Sequence, residues 1–201
     1  MRTLLAFFVF AVLCLPANAV LLTQENPGAF EVSSYLGEWY DFARTANNFQ
    51  DNTPERDGVK YSGCFDSTAE YKLKNSKTIT LVNTCYRRGE DGSLDVEDIS
   101  GKAKVAKKSH GTRLKVAFGG FVARFFQRVF TFGGANYWIY AVGDKNAEGE
   151  YSWALVSGPK KDYIFVLTRS LRVEPEVKEE IVKTATDLGL PVDELIFNED
   201  R

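Results

Sequence analysis

Few side chains in this chain are suited to covalent chemistry, and the best of them are two cysteines. Cys64 and Cys85 lie in the body of the sequence, while a third, Cys14, sits inside an apolar N-terminal run. A lone ionised thiol is a nucleophile, but two thiols in an oxidising compartment pair and fall silent. The single histidine, His110, lies in the polar stretch Lys108-Ser109-His110-Gly111. One histidine counts against His-based metal centres, His-dependent triads and axial haem ligation, so no metal and no cofactor is expected. No Asp/Glu spacing argues for paired acid–base catalysis, and no catalytic residue is assigned. With 25 Lys+Arg against 27 Asp+Glu, the chain also lacks the basic excess of a nucleic-acid binder. What it has in quantity is aromatic surface: 15 Phe, 9 Tyr and 3 Trp in 201 residues. That is a rich supply of apolar surface.

The elements that must position these residues begin after an export signal. Met1-Arg2-Thr3 is a short basic start, Leu4 to Leu15 is almost unbroken apolar sequence, and Ala17-Asn18-Ala19 is a small-x-small cleavage pattern. Residues 1–19 are therefore expected to be removed, leaving 20–201 as a single domain, periplasmic or secreted. A lipid-bearing Cys14 would want a small residue before it, and Leu13 is bulky. In the mature chain an exported Cys64–Cys85 pair is expected to bridge; the rival reading keeps Cys64 as a free nucleophile. Tyr61 to Leu73 and Thr78 to Tyr86 read as a hairpin around the polar turn Lys74–Lys77. A register facing Tyr71 with Thr78 also faces Cys64 with Cys85. Further strand-like runs are Trp39–Thr45, Leu94–Val105, Thr112–Phe118, Tyr137–Val142, Tyr151–Val156 and Tyr163–Thr168, with a bend or bulge expected at Gly101. Polar sequence from Asn47 to Gly58 separates the first of these from the hairpin. About eight strands joined by short connections predict an all-β fold: an eight-stranded up-and-down antiparallel β-barrel. One amphipathic helix follows, opened by Pro175, striped by Val177, Ile181, Ala185 and Leu188, and ended at Gly189; it is expected to pack outside the barrel. Glu194 to Phe197 reads as a short last strand.

Two ends of this ladder carry a resemblance. Gly37-Glu38-Trp39-Tyr40, continued by Asp41-Phe42-Ala43-Arg44, resembles the first lipocalin motif, G-x-W. Lys161-Asp162-Tyr163 stands where lipocalins carry T-D-Y, with Lys in place of Thr, and Arg169 resembles the arginine that ends the last barrel strand. Tyr151-Ser152-Trp153-Ala154-Leu155-Val156-Ser157-Gly158-Pro159 through Arg169 is closer still to the bacterial lipocalin and apolipoprotein D-like subgroup. The resemblance implies structural roles for Gly37, Trp39, Asp162, Tyr163 and Arg169: the tryptophan fills the closed base, the arginine lies across its indole, and the Asp-Tyr pair orders a turn. It also implies a non-enzymatic carrier of a small hydrophobic ligand, of the fatty acid or lysophospholipid class, in membrane lipid storage, transport or repair. A few lipocalins are isomerases using a cavity thiol on the strand that here holds Cys64, and others carry pigment or haem. These are the alternatives.

Period-2 alternation then assigns the ligand face. If Arg169 points to the base, Leu167, Phe165 and Tyr163 face inward, while Ile164, Val166 and Thr168 face the helix. Leu114, Val116 and Phe118 share one face of the fifth strand, and Ile79, Leu81 and Asn83 share the face of Cys85. Alignment to the subgroup turns Tyr137 and Ile139 inward. The expected ligand-binding set is therefore Leu81, Asn83, Leu114, Val116, Phe118, Tyr137, Ile139 and Phe165, with Tyr137 or Asn83 orienting a polar head; plain core packing is the rival for each. Phe118 to Phe132 interleaves Phe121, Phe125, Phe126, Phe130 and Phe132 with Arg124 and Arg128 between glycine pairs. It reads as a flap at the mouth, with transient membrane contact through Phe121–Phe132, or as core-filling strand and loop. Sequence alone leaves the oligomeric state open.

Overall fold

A computed structural model describes residues 19–22, 30–118 and 135–200. Residues 1–18 of the expected export signal, with Cys14, and the Phe121–Phe132 segment lie outside the described residues. In chain order the elements are β1 Val20–Leu21, α1 Val32–Tyr35, β2 Gly37–Thr45, β3 Glu55–Arg56, β4 Val59–Lys60, β5 Phe65–Asn75, β6 Thr78–Arg88, β7 Leu94–Val105, β8 Arg113–Phe118, β9 Tyr137–Val142, β10 Trp153–Ser157 and β11 Phe165–Thr168. Helix α2 spans Pro175–Asp187, and β12 spans Leu195–Phe197.

Strands β2 and β5 through β11 pair antiparallel in sequence order, and β11 returns to β2. The ring closes where β8 meets β9, at Arg113 with Trp138 and Leu114 with Tyr137. This is the expected eight-stranded barrel. The seam is short, and Asn136 extends it with side chain in place of strand: its amide accepts from Val116 N–H at 2.8 Å and donates to Val116 O at 3.0 Å. Short β1 continues along β9, and β12 along β2, where their barrel neighbours have peeled away. Each of the two strands is therefore paired over more of its length than barrel contacts alone provide.

The hairpin differs from expectation in register. Its turn is the two residues Ser76-Lys77 rather than four, with Asn75 opposite Thr78, so Tyr71 faces Leu81, three residues from the expected Thr78. The bridge between Cys64 and Cys85 forms nonetheless. Pairing shifts between Phe65 and Thr68, where Asp66 takes φ +46°, and Cys64 N–H donates to Gln50 O at 2.6 Å. Asn198 steadies this bulge: its side-chain oxygen accepts from Asp66 N–H at 3.1 Å and its amide donates to the Asp66 carboxylate at 2.6 Å.

Gly101 also departs from expectation. Pairing runs through it without a shift, to Leu81 on one side and Phe118 on the other. A Cβ there would stand 2.9 Å from the Phe118 ring and 3.0 Å from Ala117 O. The glycine makes room for an aromatic ring in a regular strand instead of bending the strand.

Two apolar clusters result. Inside the barrel, Trp39, Tyr35, Ile79, Ala103, Leu114, Ile139 and Val142 are buried together. Outside it, Ile181 and Ala185 of α2 pack with Phe42, Ile164 and Val166, joined by Val177 and Leu188. This is the predicted stripe against the predicted outward face. The helix ends at Leu188, whose carbonyl accepts from Lys161 Nζ at 2.5 Å, and Gly189 follows with φ +65°.

Candidate functional site

The base of the barrel is closed by packing and one cation. Trp39 is fully buried, and its indole N–H donates to Tyr35 O at 2.8 Å. The Arg169 guanidinium lies 3.6 Å from the indole centroid. Its N–H groups donate to Tyr151 O at 3.1 Å, Glu38 O at 2.6 Å, Ser34 O at 3.2 Å and Leu36 O at 2.9 Å. One side chain thus ties α1, the start of β2 and the turn before β10 across the base. Burial lowers the Arg169 pKa against the raising effect of Glu150, and the guanidinium stays charged at any physiological pH. Gly37 has φ +95°, and a Cβ there would approach Arg169 at 3.3 Å. That combination explains the first motif residue.

Above this base lies a cavity of about 390 Å³, within the roughly 300–1,000 Å³ usual for small-molecule sites. Its floor can be read strand by strand. Asp41, Leu81, Val116 and Tyr137 border the cavity, while Trp39, Ile79, Leu114 and Ile139, each two residues nearer the base, are buried beneath it. Of the expected ligand residues, Leu81, Asn83, Val116, Phe118, Tyr137 and Phe165 line the cavity. Leu114 and Ile139 do not; they are 1% and 2% exposed and belong to the packed floor. Their inward direction was legible, but their depth was not, because alternation gives a face without saying where the cavity stops. Tyr163 and Leu167 line the chamber as well, as does exposed Asp162 at its mouth. Tyr163 OH donates to Asn136 O at 3.0 Å, which links the β10–β11 turn to the β8–β9 seam.

Three tyrosines meet at the floor. Tyr35 and Tyr137 hydroxyls are 2.6 Å apart, and Tyr71 and Tyr137 hydroxyls 3.0 Å apart. Burial raises the pKa of all three, Tyr71 to about 12, so they remain neutral donors at physiological pH.

The mouth is ordered by charge. Arg87, 2% exposed, donates to Phe49 O at 3.1 Å, Asn52 O at 2.7 Å, Asn52 Oδ1 at 2.8 Å, Ser62 O at 2.9 Å and Glu97 at 3.1 Å. It holds the 47–63 segment against the barrel rim, close to the Cys64–Cys85 bridge. Fully buried Arg44 pairs with Asp41 and Asp51, and Gln50 Nε2 donates to Asp41 at 3.0 Å. Burial pushes the Asp41 carboxyl up to about 6, with Arg44 and Gln50 opposing the rise. Sequence reasoning missed Arg87, Asp41, Tyr35 and Tyr71. Arg87 was reachable, since the face shared by Leu81, Asn83 and Cys85 continues to it by period 2. His110 is exposed on the β7–β8 turn and does not line the cavity. No group of His, Cys, Asp and Glu among the described residues could hold a metal ion.

Comparison with known proteins agrees with this architecture. A family model described as a lipocalin-like domain matches residues 30–200. The chain is similar to the outer membrane lipoprotein Blc of Vibrio cholerae, 29% identical over 84% of this chain and 81% of that protein. It is 29% identical to Blc of Escherichia coli strain K12, over 84% of this chain and 78% of the relative. Temperature-induced lipocalin-1 of Arabidopsis thaliana is 28% identical over 82% and 76%. Among solved structures, apocrustacyanin C2 superposes with a TM-score of 0.52 at 16% identity, covering 89% of each chain. That likeness establishes a shared fold.

Proposed function

This chain belongs to the lipocalin family, and from that membership we propose that it is an exported, non-catalytic carrier that holds a fatty acid or lysophospholipid in its barrel. The observation that carries the reading is the cavity itself: enclosed by a closed barrel, sealed below by Trp39, Ile79, Leu114 and Ile139, and walled by Leu81, Val116, Phe118 and Phe165. An acyl chain buried there leaves water at a gain of roughly 25 cal/mol per Å² of apolar surface. The engagement of Cys64 with Cys85 supports a carrier over a thiol isomerase, because a bridged sulfur offers no thiolate. Similarity to Blc, named an outer membrane lipoprotein, supports export and work beside a membrane, in storage, transport or repair of its lipids.

The test is organic extraction of the purified exported protein with mass spectrometry of the extract, followed by titration of the delipidated protein with palmitate and 1-palmitoyl lysophosphatidylcholine. Stoichiometric lipid in the extract, or saturable binding near one molecule per chain, is the expected result. An empty extract together with no saturable binding of either probe overturns the proposal.

A further inference from the structure

The tyrosines at the cavity floor have more protons than contacts to use them. Three hydroxyls share two contacts, Tyr35 with Tyr137 and Tyr71 with Tyr137. Each hydroxyl carries one proton, and two contacts use two of the three. Among the described residues the third proton has no acceptor within hydrogen-bond reach. Only three arrangements exist. If Tyr35 donates to Tyr137 and Tyr137 to Tyr71, the spare proton is on Tyr71. When both outer tyrosines donate to the middle one, it is on Tyr137. If the chain runs the other way, it is on Tyr35. Tyr71 and Tyr137 line the cavity, whereas Tyr35 lies beneath it among the rings of Phe30, Trp39 and Tyr71, with centroids 5.1 to 5.7 Å away. An oxygen arriving from the cavity selects one of the first two arrangements and satisfies the whole triad. A methyl group arriving at the same place leaves a buried donor unmet.

The wall above repeats the pattern. Ser67 is 4% exposed and lines the cavity, and its Oγ has no hydrogen-bond partner among the described residues; the same holds for Asn83 Oδ1. Ser67 and Asn83 occupy diagonal positions on β5 and β6, since Ala69 is directly opposite Asn83. Uncommitted hydrogen-bonding capacity therefore runs along one wall of a mostly apolar chamber down to its floor. Arg87, the one cation of the lining among the described residues, is committed to carbonyls of the mouth segment and to Glu97.

Building on the carrier reading, we infer that the cavity prefers an elongated apolar ligand carrying an uncharged oxygen, a hydroxyl or carbonyl, at the end that is buried deepest against Tyr71 and Tyr137. A plain acyl chain fits the volume but ends in a methyl at the floor. A chain oxygenated at its far end places an acceptor where the triad has a proton to give.

The test compares palmitate with 16-hydroxypalmitate, which differ only by the terminal oxygen, titrated into the delipidated full chain. The expected result is tighter binding of the hydroxylated probe by roughly three- to tenfold, the scale of one neutral hydrogen bond. The preference disappears in the double variant Tyr71→Phe/Tyr137→Phe, which removes both donors that border the floor. It persists in Tyr35→Phe, where two hydroxyls and one contact still leave the spare proton facing the cavity; this variant keeps the test decisive if the double variant does not fold. Equal or tighter binding of palmitate by the native chain overturns the inference while leaving the carrier reading intact, as does loss of the preference in Tyr35→Phe alone. Failure of both probes to bind overturns the carrier reading, and the inference falls with it.

Discussion

Removal of the Cys64–Cys85 bridge is the perturbation whose size follows most directly from the structure. The two residues are 21 apart in sequence, so the bridge closes a loop that the unfolded chain must otherwise leave open. The chain-entropy expression for a loop of this length gives a stabilisation of about 3 kcal/mol. For a domain of this size each kcal/mol moves the midpoint by roughly 2–4 °C, so the double variant Cys64→Ala/Cys85→Ala is expected to melt about 6–12 °C lower. Cys64 is 3% exposed and sits beside Arg87 at the rim, so its truncation leaves a small void that adds to the loss. The assay is thermal and urea unfolding of the native and double-variant proteins, read by tryptophan fluorescence and far-UV circular dichroism. A loss below about 1 kcal/mol with unchanged m-value would refute the reasoning, because it would mean that the bridge constrains little of the unfolded chain. Thiol titration of the folded mature protein accompanies the measurement. The bridged chain yields no reactive Cys64, and a rapidly reacting thiol at that position would revive the isomerase alternative.

Three further outcomes are expected. Arg169→Met takes one donor from each of the carbonyls of Ser34, Leu36, Glu38 and Tyr151, of which Ser34 O keeps the Tyr151 N–H, and removes the cation from Trp39; a loss of about 3–5 kcal/mol is expected in urea unfolding, and one under 1 kcal/mol would contradict a role in closing the base. Arg87→Met releases Phe49, Asn52 and Ser62, so limited proteolysis is expected to cut first between residues 47 and 63, with faster ligand release in stopped-flow displacement; an unchanged cleavage pattern and release rate would deny it the anchoring role. The Asp41 carboxyl is pushed up to about 6 in the fold, chiefly by burial, so between roughly pH 4 and 6 the folded chain holds a proton that the unfolded chain has lost; this contribution makes the protein more stable as pH falls through that window, and Asp41→Asn is expected to flatten that part of the profile, whereas superimposable profiles would show that another group governs it.

Much of the architecture was legible because it depends on short-range patterns. Alternation identified the faces of β8 and β11, a 3.6-residue stripe identified α2, and three spaced motifs located the closed base. The failures share a different cause. The β5–β6 register slid by three residues because Asn75 and Thr78 close a two-residue turn, and pairing energy along the strands outweighs the polarity of Lys74 and Asn75. Gly101 looked like a bend because glycine usually weakens a strand, yet its reason is the Phe118 ring from the neighbouring strand. Leu114 and Ile139 were assigned to the ligand although they pack under it. The Tyr35–Tyr137–Tyr71 contacts join positions up to 102 residues apart, and no local pattern foretells such a meeting. Long-range side-chain encounters are where the sequence reading stops.

Placement of the polar groups explains how such a barrel can keep a cavity. An apolar void costs stability, because the side chains around it lose contacts that a filled core would give them. Here the strongest polar ties sit at the two ends: Arg169 with four carbonyls at the base, Arg87 and the Cys64–Cys85 bridge at the rim. Both arginines are held by protein groups, so the ties at the two ends do not rest on an occupant. A ligand that binds only the folded state then adds stability by mass action, about 2.7 kcal/mol at a hundredfold excess over its Kd. The groups that gain most from an occupant are those left between the ties, namely the apolar walls and the hydroxyls of Tyr71 and Tyr137. Selectivity is therefore expected to reside in the middle of the barrel and stability at its ends, so substitutions at the floor tyrosines change ligand preference more than they change folding.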